Sequence, residues 1–123
     1  MVSTPCHRWI LYVLWVFLVP PVWGADQIDF EKHIRPILVE HCLGCHGPKK
    51  QQASLRLDLR EYAFKGSESG PVIVPGKPGD SLLHKVLLPD AEKRMPPKAP
   101  LSGLEIDRIR EWLAQGAHWP RET

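Results

Sequence analysis

The chain opens with an unbroken apolar stretch and then changes character. Residues 9–19, from Trp9 to Val19, are all apolar or aromatic, and Pro20 and Pro21 close the run. Beyond it, polar and apolar positions follow short periods. Ile28, Phe30, Ile34, Ile37, Leu38 and His41 recur at roughly helical spacing, which predicts a helix from about Asp29 to Cys45 with Asp29 as its N-cap. Pro36 lies inside it and should kink it or split off its first turn, and Gly47-Pro48 stops it. Leu55, Leu57 and Leu59 alternate with Arg56, Asp58 and Arg60. That pattern predicts a short extended piece running into a helix over 59–65, with Asp58 as cap and Gly66 as its end. A further short helix is expected over Ser81–Leu88. The last helix is the best signalled. Ser102-Gly103-Leu104-Glu105 is a capping box, and Leu101 and Ile106 can form a hydrophobic staple around it. Leu104, Ile106, Ile109, Trp112 and Leu113 make its apolar stripe, and Gly116 is its C-terminal stop.

Composition adds limits to this picture. A length of 123 residues with 43% apolar content allows one domain. Thirteen Pro and nine Gly make a loop-rich fold of short helices. Gly66–Gly79 in particular reads as a loop presenting Val72, Ile73 and Val74. A net charge of +2 is too small for a polyanion-coating protein, so nucleic acid is not an expected partner.

The first 24 residues are a different material. Arg8 precedes the apolar run, no acid appears before Asp26, and Val22-Trp23-Gly24-Ala25 supplies small residues at a boundary. This is the pattern of a secretory signal peptide, with cleavage after Gly24. The run is short against the roughly 20 residues of a membrane-spanning helix, so a membrane link is expected only if the segment stays uncleaved. Loss of residues 1–24 removes Arg8 and no acid, so the net charge falls from +2 to +1. The expected domain, 25–123, works outside the cytoplasm, in the periplasm or a like compartment. It keeps two of the three cysteines, Cys42 and Cys45.

Cys42-Leu43-Gly44-Cys45-His46 is a C-x-x-C-H run, the attachment signature of c-type haem. Two thiols on one tight turn can each add across one vinyl group of the same haem. The next imidazole, His46, is then held beneath the iron as proximal ligand. A disulfide across so small a loop stabilises little. A structural zinc site wants a second cysteine pair, which is lacking, and a thioredoxin-like pair wants a βαβ setting. For the sixth iron position, Met95 is the one thioether beyond the leader. It stands in Arg94-Met95-Pro96-Pro97-Lys98-Ala99-Pro100, whose prolines stiffen the loop. His33, His41, His84 and His118 are weaker rivals. The carbonyl that orients the second nitrogen of His46 is not written in the spacing; Pro71 and Pro75 are loose candidates.

These segments together resemble a known family. Phe30, Arg35-Pro36-Ile37-Leu38, His41-Cys42, Cys45-His46-Gly47, Leu55-Arg56-Leu57-Asp58, Val74-Pro75-Gly76-Lys77-Pro78, Arg94-Met95-Pro96-Pro97, Trp112, Gly116-Ala117 and Trp119-Pro120 are similar to the planctomycete-type cytochrome c domain, a relative of class I cytochrome c. The resemblance runs from about residue 27 to 120. It implies an all-α, cytochrome c-like fold wrapped around one covalent haem c, bound through Cys42 and Cys45 with His46 and Met95 on the iron. It implies an electron carrier rather than an enzyme, with redox proteins as partners. Lys49-Lys50, Lys93-Arg94 and Lys98 would form a basic rim for an acidic partner. The alternatives are a haem enzyme or gas sensor with an open sixth site, and a docking module whose haem is structural. Such domains often stand at the front of longer exported proteins, so a free-standing carrier and a piece of a longer chain are both readings of an end at Thr123.

Overall fold

The computed structural model describes residues 26–122. The expected leader and its cleavage point lie outside the described residues.

The first helical segment is split as Pro36 requires. Phe30–Ile34 is a π-helical turn, followed by α1, Arg35–His41, with Pro36 in its first turn. Proline has no N–H to give to the carbonyl four residues back. The preceding turn widens, and the Arg35 N–H donates to the Phe30 carbonyl instead. Asp29 caps the start, its carboxylate accepting from the Lys32 N–H at 2.9 Å. α1 ends at His41 and not at Cys45 as the periodicity predicts. The Leu38 carbonyl accepts from both the Cys42 and Leu43 N–H groups, at 2.9 and 3.0 Å, and this forked bond closes the helix.

α2 spans Arg60–Lys65, α3 Leu82–Lys85 and α4 Gly103–Ala114, with single 3-10 turns at Gln52–Ser54 and Pro78–Asp80. No strand occurs among the described residues, only two isolated bridges. The molecule is helical, as expected. α3 is shorter than predicted and continues as turns to Leu88.

α4 follows its sequence signals. Ser102 and Glu105 form the reciprocal capping box. At its other end the Ala117 N–H reaches the Trp112 carbonyl at 2.9 Å, and Gly116 takes a φ of +106°, a left-handed stop that glycine adopts at low cost. The apolar stripe is narrower than predicted. Ile109, Trp112 and Leu113 are buried, but Leu104 is 62% exposed.

The core joins the two ends of the described chain. Phe30 stacks on Trp119 with centroids 4.2 Å apart, and Trp112 lies 5.7 Å from Phe30. Ile34, Ile37, Leu38, Leu55, Leu57, Val72, Ile73, Leu83 and Leu87 belong to the same core. Val74 is only half-buried, so two of the three branched residues of that loop enter the core. The loop is pinned by Ser81, a buried polar side chain. Its hydroxyl accepts from the Val74 N–H at 3.0 Å and lies 2.9 Å from the Lys77 carbonyl. The Gly76 N–H to Leu113 carbonyl bond, 2.8 Å, ties the same loop to α4.

Candidate haem-attachment turn

The chain leaves α1 through one tight turn that holds Cys42, Cys45 and His46. The His46 N–H donates to the Cys42 carbonyl at 2.9 Å and the Cys45 N–H to the same carbonyl at 3.2 Å. Both thiols and the imidazole are therefore fixed to one turn of backbone. Gly47 follows because nothing larger fits: a Cβ there would collide with the Leu43 carbonyl. The chain then folds back on the turn. The Gln52 N–H reaches the Cys45 carbonyl at 3.0 Å and the Leu57 N–H reaches the His46 carbonyl at 2.8 Å.

This return places a carbonyl on the His46 ring. Nδ1 lies 3.0 Å from the Gln52 carbonyl oxygen. A carbonyl only accepts, so Nδ1 carries the hydrogen and, in the neutral ring, the Nε2 lone pair is left as the donor to a metal. The orienting carbonyl is thus that of Gln52 and not of Pro71 or Pro75. The two cysteines are free thiols. Burial pushes the Cys42 thiol up to about 11, and its side chain packs against the core.

Met95 is half-buried on a separate, largely exposed loop. Its N–H donates to the Val86 carbonyl at 2.7 Å, which hangs the loop on the end of α3. Among the described residues no hydrogen bond joins this loop to the Cys42–His46 turn. The rival imidazoles are otherwise engaged in part. His33 Nδ1 accepts from the Asp29 N–H at 3.0 Å, and His41 Nε2 lies 3.0 Å from Glu105. That second contact ties the end of α1 to the first turn of α4. Hydrogen bonds, first from the Ser102 backbone N–H, hold the Glu105 carboxyl below its ordinary range. Two surface clefts, of about 420 and 300 Å³, lie beside Tyr62 and beside Trp119; neither is lined by Cys42, Cys45, His46 or Met95.

Small helices around an aromatic core, with two thiols and one oriented imidazole on a single turn, are consistent with a small all-α cytochrome-like fold. Residues 42–99 match the family model described as planctomycete cytochrome C, and this match supports a planctomycete-type cytochrome c domain. The match starts at Cys42 and ends in the proline-rich loop, a shorter span than the resemblance over 27–120. No curated protein and no solved structure matches the chain.

The residues fit a haem c. Two free thiols on one turn would take two vinyl groups, the imidazole has its Nδ1 held and its Nε2 left to bind a metal, and a thioether is available on a proline-rich loop. Two buried polar atoms near that loop, Arg94 Nε and His84 Nδ1, have no protein partner.

Proposed function

We propose that the chain is an exported mono-haem electron carrier. Cys42 and Cys45 form thioethers to one haem c, His46 is the proximal iron ligand and Met95 the distal one. When bound, the haem supplies a one-electron iron couple. Each residue has a distinct task. The two cysteines fix the ring to a turn whose backbone is itself hydrogen-bonded. Gln52 holds His46 in the tautomer and orientation that present Nε2. The prolines around Met95 keep the thioether in place in both redox states, which keeps rearrangement on electron transfer small. A methionine opposite a histidine also sets a higher potential than two nitrogen ligands would.

Residues 1–24 direct export, and no helix among the described residues is long and apolar enough to cross a membrane. Redox proteins are the partners. Lys49, Lys50, Lys93 and Lys98 are exposed and take part in none of the ion pairs among the described residues. They would steer an acidic surface toward the protein.

The observation that carries this reading is the His46–Gln52 contact beside two free thiols, within the segment that matches the family model. The test is expression in a host equipped for cytochrome maturation. Haem should stay on the denatured wild-type polypeptide and be absent from the Cys42→Ala, Cys45→Ala double variant. A colourless wild-type chain would refute the proposal.

A further inference from the structure

Buried polar atoms in folded proteins nearly always have a partner. Arg94 Nε and His84 Nδ1 have none, and they belong to one region. The Met95 N–H to Val86 carbonyl bond lays Arg94-Met95 against the chain that leaves α3, and α3 carries His84. Arg94 also stands in none of the ion pairs among the described residues. The nearby carboxylates in sequence, Asp90 and Glu92, are exposed and leave it unpaired. An arginine cannot shed its proton, and each of its N–H groups only donates. The partner it lacks is therefore an acceptor. A carboxylate matches the guanidinium fork best.

Resting on the haem reading above, we infer that Arg94 binds a propionate carboxylate of the haem. The same chemistry could be offered by an acidic side chain of a docked protein. A propionate is favoured because Nε is buried, and a partner's side chain meets the surface. Arg94 is then a positioning residue. It would hold the propionate from the residue next to Met95, and its charge would disfavour the ferric state.

The experiment uses mature holo-protein carrying Arg94→Gln, Arg94→Lys or, as a surface control, Arg110→Gln, with redox titration and absorption spectra. In Arg94→Gln the iron should stay six-coordinate and low-spin. The ferric-to-ferrous ratio at a fixed potential should rise by about tenfold, a fall of about 59 mV for one electron. Arg94→Lys should restore most of the shift, and Arg110→Gln should leave the potential unchanged. An unchanged potential in Arg94→Gln overturns the assignment. So does a fall that comes with loss of the low-spin spectrum and is not restored by lysine, since Arg94 would then act by holding the Met95 loop. A wild-type chain without covalent haem overturns the haem reading as well, so the two failures are told apart by haem staining of wild type.

Discussion

Four side chains bear the chemistry of the proposed carrier, and they differ in how the fold supports them. Cys42, Cys45 and His46 are neighbours in sequence, so their mutual placement needs only one turn, and the motif is legible without a structure. The atom that orients His46 is not. The Gln52 carbonyl reaches Nδ1 because Gly47 permits a close return of the chain, and no residue-type preference marks a backbone carbonyl. Met95 is legible as the lone thioether beyond the leader, but its anchorage at Val86 depends on where α3 ends. Its role is open to a direct check. Met95→Ala should lower the potential and let cyanide or carbon monoxide bind the iron readily. A low-spin spectrum identical to wild type would remove Met95 from the iron. High-spin iron in the wild type would favour an enzyme or sensor with an open sixth position.

At the scale of elements, α4 shows how local signals survive folding. Its capping box, its buried Ile109-Trp112-Leu113 face and its Gly116 stop all form as the sequence predicts. The contribution of Glu105 can be measured by its pH dependence. Its folded pKa is lowered, so the stability it adds is present above its unfolded value and is lost as pH falls through the folded value. At pH 7, Glu105→Gln should cost about 0.5–1 kcal/mol in urea unfolding of the holo-protein. The difference should close as pH falls through the lowered folded value, below the ordinary carboxylate range; a gap that persists in acid would mean that the charge is not its source. Where the predictions fail, a long-range partner has won. Asp58 does not cap α2, because both of its oxygens are held by Arg56, at 3.0 and 2.6 Å. The first N–H of α2 is instead taken by Glu122, at 2.9 Å, from the far end of the chain. Ser81 gives no sequence signal of burial either; it is buried because the loop around it has donors and acceptors to satisfy.

Over the whole molecule, the described chain divides its labour. The Phe30, Trp112 and Trp119 cluster closes the N- and C-terminal segments on each other. The Cys42–Leu57 loop and the Met95 loop come from the middle of the sequence and carry the donors. Lysines stand on both of these loops, so charge steering should act where the haem edge would lie. Lys49 and Lys50 are the cleaner test, since Lys93 has the acidic Glu92 as its neighbour in sequence. The Lys49→Glu, Lys50→Glu variant should react with an acidic electron-transfer protein several-fold more slowly at low ionic strength, on the order of three- to tenfold. Rates for the wild type should fall as salt rises, because charges separated by more than about 8 Å are screened near 0.15 M. The variant should lose most of that salt dependence while keeping its potential, because charges as exposed as Lys49 and Lys50 are screened by solvent. Equal rates and equal salt slopes for the two proteins would place the docking face away from Lys49 and Lys50, and the Met95 side would then be the surface to reverse next.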